Sequence, residues 1–339
     1  MPKRNDPPML EQEHICRFLW EKTSDKSAKI LRVFSNLPVA VIPAQIDGYP
    51  VKELGNYCFA PSGQITEHAI TTKTPVPVSA LTELCGNYLN AVYLPESVEK
   101  IGDYTFYNCR NLTEITLSDR LYSVGSDAFM NCHHMRRIHL KCSPSKKNCL
   151  RQILSQISWD VEAVFYKHTS SDSSQKEAVV FFPEYYESYD EIAPAHVFGR
   201  SIIGEGFRAR QCFQDDILDF PQYDIIFPKA CVEESGQTLC QMAFDRLRYP
   251  YQMSEADGFR YTDYLVKHGL SLCRQFISNK NLDDLLFLFQ EKLLSPQNIQ
   301  QAISLAAQAG WSEGSAAMLR WKQLHMQTFS EKRYQLDDF

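Results

Sequence analysis

Four aspartates in one short stretch are the first candidates for chemistry. Asp215, Asp216, Asp219 and Asp224 lie close enough in sequence to hold a metal ion together or to act as general acid and base. One hypothesis is therefore a hydrolase or metal enzyme built around residues 184–224. It predicts a cleft in which these carboxylates converge. The alternative is a charged loop face in water, which is what most charge runs form.

A second candidate is a group of histidines and cysteines, with His133, His134 and His139 near Cys132 and Cys142. A structural zinc site needs four convergent ligands, whereas adjacent residues such as His133 and His134 point apart. A solvated corner is the simpler interpretation. The chain also lacks the P-loop, GxGxxG, HExxH, GxSxG and CxxC motifs. We expect no catalytic residues, metal, cofactor or small-molecule substrate.

A third group recurs at a fixed spacing and is the preferred candidate for binding. Tyr93, Thr116 and His139 are separated by 23 residues each, as are Glu114 and Arg137. In short strands these positions face away from the core, so they form two neighbouring rows on a sheet surface. Aromatic and arginine side chains suit a protein interface. The alternative is an ordinary solvated sheet, or one covered by the C-terminal part of the chain.

These rows depend on an internal repeat of 23 residues. Residues 88–109 and 111–132 align without a gap, and a third copy begins at Met135. Such self-similarity is typical of a solenoid, in which each unit buries its apolar side against its neighbours. The predicted core positions of the repeats are Leu89, Val92, Leu94, Ile101, Phe106, Cys109, Leu112, Ile115, Leu117, Val124, Phe129 and Cys132.

Each repeat has the same parts. LxxLxL predicts a short strand, VxxIG predicts a second one, the glycine permits a tight corner, and AFxxC or TFxxC turns a phenylalanine inward. The cysteine is expected to be a small buried residue. The pattern resembles the leucine-rich repeat of the BspA-like, or Treponema pallidum, type. That resemblance implies a solenoid that binds proteins. Because its better known members are exported, it also implies the alternative of an adhesin-like surface protein, here exported without a signal peptide.

The ends of the solenoid are predicted where the sequence no longer follows the 23-residue pattern. Residues 1–42 read as an N-terminal hairpin cap, and residues 43–166 as the repeats with a closing cap. The first true unit begins at Ile42. Its Leu54 and Phe59 precede Ile101 and Phe106 by 47 residues rather than 46, which predicts a degenerate unit between them. The Thr/Pro-rich stretch TTKTPVPVSA in that unit is expected to be an edge loop.

Beyond the repeats the chain changes character twice. Residues 167–234 are aromatic-rich and acidic, with no regular pattern. Through FFPEYY, PAHVF, GFRARQCF and YDIIF they are similar to segments that follow BspA-like repeats in Firmicutes proteins of unknown function. Within them, EYYESYDE (184–191) is either a tyrosine-rich recognition strip or a packing surface. Residues 235–329 have helical spacing with caps at Ser235, Ser254 and Ser295, which predicts a stack of helical hairpins. The expected fold class is therefore α+β: a short leucine-rich-repeat solenoid, an irregular middle segment and helical hairpins.

Charge is distributed unevenly along the chain. The net formal charge is −6. Residues 1–150 have 17 basic against 15 acidic residues, residues 151–235 have 7 against 15, and the remainder has 11 against 11. The acidic middle makes nucleic acid an improbable partner. The basic run RRIHLKCSPSKK (136–147) either contacts an acidic partner or faces this acidic middle segment.

Location is predicted from the cysteines and from apolar runs. The sequence has 11 cysteines without a disulfide-like framework, no secretory signal and no apolar run of membrane-spanning length. We expect a cytoplasmic protein that does not interact with membranes. Together these observations predict a non-catalytic scaffold or adaptor that binds a protein partner through the repeat face, the helical tail or both.

Overall fold

The computed structural model describes residues 14–63, 69–72, 80–167, 175–192 and 197–326. The chain forms two compact units, Met1–Glu233 and Glu234–Phe339. The predicted fold class is confirmed: a β-solenoid is followed by a helical region. In chain order, the strands as far as residue 167 are β1 (Cys16–Lys22), β2 (Ala28–Ser35), β3 (Val39–Val41), β4 (Gln45–Ile46), β5 (Tyr49–Leu54), β6 (Ile70–Thr71), β7 (Thr82–Glu83), β8 (Ala91–Tyr93), β9 (Lys100–Ile101), β10 (Glu114–Ser118), β11 (Ser123–Val124), β12 (Arg137–Lys141) and β13 (Val161–Tyr166).

Two parallel ladders run along the solenoid, one for each strand of the repeat. The strands predicted from LxxLxL (β8, β10 and β12) lie in the ladder β3-β8-β10-β12-β13, between a strand of the N-terminal part and the closing strand. Those predicted from VxxIG (β5, β9 and β11) follow β2 in the ladder β2-β5-β9-β11. Ile115 lies in register with Val92 and Ile138, so the 23-residue spacing becomes a column of buried side chains. All the predicted core residues are buried except Val124, which is partly exposed.

The phenylalanines form a continuous stack inside the solenoid. The ring centroids of Phe59 and Phe106 are 5.2 Å apart, and those of Phe106 and Phe129 are 5.0 Å apart. The thiols of Cys109 and Cys132 donate to the carbonyls of Phe59 and Phe106, at 3.2 and 3.1 Å. Each turn is therefore joined to the preceding one by a ring contact and by a thiol hydrogen bond, and burial raises the pKa of the Cys109 thiol to about 12.

The repeat glycines are needed for a different reason from the predicted tight corner. Gly102 and Gly125 do not have positive φ. An added Cβ on Gly102 would lie 2.6 Å from the backbone nitrogen of Asn56, and one on Gly125 would lie 2.5 Å from the carbonyl carbon of Gly102. Adjacent turns approach each other too closely at this column for any side chain.

Gly125→Ala is therefore expected to lower the free energy of unfolding of the repeat unit by about 1–3 kcal/mol, the usual cost of overpacking. Hydrogen exchange of the β9 and β11 amides in a urea series measures this loss. Gly258→Ala is the control, because its new Cβ would meet only the flexible end of Met253, at 3.4 Å. Equal stability of Gly125→Ala and the native protein would contradict the steric explanation.

The predicted degenerate unit is wrong. β3 pairs directly with β8, and β5 pairs directly with β9, with Leu54 opposite Ile101. The residues between these turns make an excursion instead, in which β6 pairs with β1 and β7 pairs with β2. The excursion happens to be about one repeat long, which mimics a repeat in the spacing. Residues 73–79 of the Thr/Pro-rich stretch lie outside the described residues.

A buried arginine holds the N-terminal hairpin to the first turn. β1 and β2 pair antiparallel, as predicted for this hairpin. Arg32 on β2 is 5% exposed and donates to the carbonyls of Tyr57, Ala60 and Gly63 at 2.6, 2.8 and 3.2 Å. It also contacts the carboxylate of Glu83 at 3.4 Å. These bonds satisfy carbonyls that the turn would otherwise bury without donors.

The middle segment closes the other end of the solenoid. Its elements, with the preceding short helix, are α1 (Leu150–Leu154), β14 (Lys176–Phe182), β15 (Tyr186–Ile192), β16 (Val197–Ile203), α2 (Gly206–Ala209), β17 (Phe213–Gln214), β18 (Ile217–Leu218), α3 (Phe220–Asp224) and α4 (Phe227–Glu233). β14 adds antiparallel to β13. Phe220 and Tyr223 of α3 contact the rings of Phe165 and Phe182, so this segment packs onto the repeat sheet.

The second unit consists of helices with the predicted caps. They are α5 (Gly236–Arg248), α6 (Glu255–His268), α7 (Leu270–Ser278), α8 (Leu282–Gln290), α9 (Pro296–Gln308) and α10 (Ser312–Met326). Ser235, Ser254 and Ser295 accept hydrogen bonds from the first-turn amides of α5, α6 and α9. Packing joins α5 to α6 and α7, and α7 to α8 and α9.

Candidate interaction face

The candidate face is the outward side of the parallel ladder β8-β10-β12-β13. Register places Tyr93, Thr116 and His139 in one row and Glu114 and Arg137 in the next, as the 23-residue spacing predicts. Alternation along each strand sends Ile115, Leu117 and their equivalents into the core. The packing of the repeat core thereby fixes the position of each outward side chain along its strand and its distance from the equivalent side chain on the next strand.

Four side chains on four strands form one hydrogen-bonded network. The Tyr93 hydroxyl donates to Glu114 Oε1 at 2.5 Å, and Glu114 Oε2 lies 3.5 Å from His139 Nε2. On the far side of the histidine, His139 Nδ1 is 2.8 Å from the Tyr166 hydroxyl. We call these four residues the Tyr-Glu-His-Tyr network. Because each partner restrains the next, the rotamers are fixed in the free protein.

The electrostatics of the network centre on Glu114. The hydrogen bond with His139 lowers the pKa of this carboxyl to about 2, partial burial opposes the shift, and the Tyr93 hydroxyl adds to it. The same contact acts in the other direction on Tyr93, where burial and then the Glu114 carboxylate raise the pKa of the phenol. Glu114 is therefore ionised and Tyr93 protonated throughout the physiological range.

Glu114→Gln is expected to destabilise the repeat unit by about 1–3 kcal/mol at pH 7, the range for a hydrogen bond to a charged group. The folded pKa of about 2 lies below the ordinary value of 4.5, so this stabilisation is complete above pH 4.5 and is lost as the pH falls through 2. Urea unfolding of both proteins across this window tests it. The two should become equally stable at its acidic end.

Glu96→Gln, at an exposed glutamate of the preceding repeat, is the matched control. We expect it to change stability by less than about 0.5 kcal/mol. If the loss of unfolding free energy in Glu114→Gln does not vary between pH 4.5 and 2, the carboxylate charge contributes nothing to the stability of the repeat unit.

Two of the predicted face residues behave differently from the others. Thr116 is 5% exposed, since its strand neighbours are the larger Tyr93 and His139, so it offers little surface to a partner. Arg137 is outside the network and donates from Nε to Glu162 Oε2 at 2.6 Å. Its side chain is 55% exposed and remains accessible to a partner.

Two further residues of the face, Tyr166 and Glu162, are not predicted by the 23-residue spacing. Both lie on β13, where the distance to the equivalent residue is no longer 23. Glu162 pairs with Arg137 and Ala163 with Ile138, an offset of 25. The β-branched and aromatic composition of Val161–Tyr166 is the available signal, because it favours a strand at the end of the repeats.

The other candidate clusters do not converge. The ring of His133 packs against Trp159, His134 Nδ1 is 2.6 Å from the Arg110 carbonyl, and Cys132 is buried in the repeat core. Among the described residues, no group of three or more His, Cys, Asp or Glu side chains could hold a metal ion.

The four aspartates also have separate surroundings. Asp215 and Asp216 have positive φ and occupy the turn between β17 and β18, where Asp216 lies 3.9 Å from Arg151. Asp219 caps α3 by accepting from the Gln222 amide, and Asp224 is buried. In the part of the chain that the structure describes, these carboxylates do not form a cluster that could hold a metal ion, contrary to the convergence that the hydrolase hypothesis predicts.

The basic run 136–147 has acidic neighbours on two sides. Arg137 pairs with Glu162 from the closing strand, whereas Lys146 lies 3.4 Å from Asp119 in the second repeat. Only the first of these contacts reaches the segment with excess negative charge.

Comparison with known proteins identifies this architecture. Residues 34–132 and 83–158 match the model of the BspA type leucine rich repeat region. Residues 34–158 are a BspA-type leucine-rich repeat region. No curated protein sequence matches the chain.

Part of the chain is similar to solved structures of leucine-rich repeat proteins. A leucine-rich repeat protein from Bacteroides capillosus is 22% identical, with 36% of this chain and 76% of that chain covered and a TM-score of 0.27. A leucine rich cell surface protein from Faecalibacterium prausnitzii is 23% identical, with coverage of 36% and 31% and a TM-score of 0.25. The T. pallidum leucine rich repeat protein is 20% identical, with coverage of 39% and 73% and a TM-score of 0.22.

The helices were also compared with the requirements of a membrane span. Within the described residues, none is both long and apolar enough to cross a bilayer.

Proposed function

We propose that this protein is a non-catalytic interaction protein that binds a partner protein through the outward face of its repeat sheet. The contact residues are Tyr93, Glu114, Arg137 and His139, with Val41 at the edge of the same face. The observation that carries the proposal is the Tyr-Glu-His-Tyr network, which holds polar and aromatic side chains from four strands in one arrangement.

Preorganisation is the physical argument for binding. Ordering a free side chain at an interface costs roughly 0.5–1.5 kcal/mol, and the network removes this cost before a partner arrives. Val41 is in register with Tyr93 and is 41% exposed, so the face combines an apolar edge with a polar centre. Arg137 adds an exposed guanidinium, a group that is enriched at protein interfaces.

Affinity capture from the native cytosol tests this proposal. The bait proteins are the native chain, a variant with Tyr93, Glu114 and Arg137 changed to alanine, and Val41→Arg. Val41→Arg adds a charge to the face and leaves all four network residues in place. A loss of binding in this variant is therefore not caused by loss of the network. Tyr122→Ala is the control, because Tyr122 is 57% exposed and is not part of the face.

We expect one protein to be retained by the native chain and by Tyr122→Ala, and to be lost from both face variants. Thermal unfolding monitored by circular dichroism verifies that each bait is folded. Equal retention by all four baits would place the binding site elsewhere, and the helical unit would then be the next candidate.

A cytoplasmic location is part of the proposal. All 11 cysteines are free thiols, and most are buried in the cores of the two units, as is usual in a reducing compartment. The alternative is an adhesin-like protein at the cell surface. Fractionation of native cells distinguishes them, because protease added to intact cells digests only a surface protein.

A further inference from the structure

The hairpin β15–β16 is exposed to an unusual degree. Its strands pair in full register from Tyr186 with Ile203 to Ile192 with Val197. They form a two-stranded sheet of their own, and no other strand of the described chain pairs with either of them. Both outer edges therefore lack strand partners in the part of the chain that the structure describes.

Both faces of this hairpin carry large exposed side chains. Tyr186 and Ile203 lie opposite each other on one face, and each is 61% exposed. Tyr189 is on the other face and is 62% exposed. The alternative role of the EYYESYDE segment, packing against the solenoid, therefore does not account for these two tyrosines.

Contacts at the base of the hairpin fix its position. The ring of Tyr185 meets that of Phe207 at 5.5 Å, and Arg200 lies over the Phe207 ring at 5.4 Å. Arg200 also donates to Glu187 across the strands at 2.6 Å. A two-stranded hairpin with two solvated faces is only marginally stable in water, and large apolar side chains kept in the open indicate an interaction site.

The charge of the hairpin selects among possible occupants. Residues 184–203 contain the acidic Glu184, Glu187, Asp190 and Glu191 and a single arginine, Arg200. All four acidic residues lie in or just before β15. A second copy adding to this edge would bring like charges together, which is unfavourable. A basic segment would bring opposite charges together.

We propose that the free edge of β15 binds an extended basic segment of a partner protein, which adds as a third strand. Strand addition supplies main-chain hydrogen bonds, and alternate side chains of the added segment supply specificity. Its arginines or lysines would be attracted by the negative charge of the β15 sequence and would lie over the faces of Tyr186 and Tyr189. This site is separate from the repeat face and does not depend on it.

The test uses a fluorescein-labelled peptide of alternating arginine and threonine, about twelve residues long, which exceeds the length of a seven-residue strand. A peptide of alternating glutamate and threonine is its control. Fluorescence anisotropy with the full-length protein measures binding. We expect only the arginine peptide to bind, and its affinity to fall as the salt concentration rises.

Variants locate the site. Tyr186→Ser combined with Tyr189→Ser should weaken binding at least about tenfold, because both exposed rings lie on β15 and are the proposed contacts of the peptide's arginines. Tyr122→Ser combined with Met130→Ser removes a similar pair of exposed side chains from the repeat unit and should change it less than about twofold. Equal affinity of both double variants would overturn the proposal, as would binding of both peptides or of neither.

Hydrogen exchange provides a second readout that does not depend on mutation. Bound arginine peptide should slow exchange of amides in residues 186–192 and leave β10 and β12 unchanged. Protection confined to other parts of the chain would contradict strand addition at β15.

Discussion

Arg210→Ala is expected to lower the free energy of unfolding of the first unit by roughly 3–5 kcal/mol, because several buried carbonyls would each lose their hydrogen bond to a charged donor. Arg210 is 4% exposed. Its guanidinium donates to the carbonyls of Ile157, Trp159, Pro183 and Gly206, at distances between 2.5 and 3.1 Å. These carbonyls belong to the closing cap, to the end of β14 and to α2, so one side chain holds together the end of the solenoid.

Urea unfolding followed by hydrogen exchange of the β13 and β14 amides measures this loss in the first unit alone. Arg151→Ala is the control, because Arg151 is 51% exposed and its nearest carboxylate is 3.9 Å away. We expect it to cost less than about 1 kcal/mol, as a surface ion pair does. Similar losses in the two variants would contradict the role given to Arg210.

Phe106→Ala should destabilise the same unit by about 3–5 kcal/mol, the range for removing a buried phenylalanine. Phe106 is fully buried and is the central ring of the stack, in contact with Phe59 on one side and Phe129 on the other. Its removal leaves a cavity between two turns, and the close approach of the turns at Gly102 and Gly125 prevents the backbone from collapsing into it.

Hydrogen exchange of β8, β10 and β12 at increasing urea concentration measures the effect. Tyr122→Ala removes an aromatic ring of similar size that is 57% exposed and should cost less than about 0.5 kcal/mol. Loss of protection that is confined to β9, with β10 and β12 unchanged, would contradict the expected cooperativity between turns.

How much the sequence predicts depends on whether the determining interaction is local or repeated. The strands of the repeats were predicted because a solenoid repeats the same contacts in each turn, so the core of one turn identifies that of the next. The caps at Ser235, Ser254 and Ser295 were predicted because a cap bonds to an amide three residues away. Both signals are present in short windows of sequence.

Other features depend on contacts between distant residues. The buried guanidinium groups of Arg32 and Arg210 donate to carbonyls that lie 25 or more residues away in sequence. No local pattern therefore distinguishes these two arginines from exposed ones. The spacing of 47 residues between Leu54 and Ile101 equals about two repeats, so only the pairing of β3 with β8 reveals the excursion. Tyr166 enters the network from a strand outside the repeat period.

The most direct test of the proposed interaction face is site-specific photo-crosslinking in native cells. Benzoylphenylalanine replaces Val41, which is exposed beside Tyr93 and is not a member of the network. In a second strain it replaces Tyr122, which directly precedes β11 of the other ladder. The proposal predicts one crosslinked partner protein from position 41 and none from position 122. The same products from both positions, or no product from position 41, would contradict binding through the repeat face.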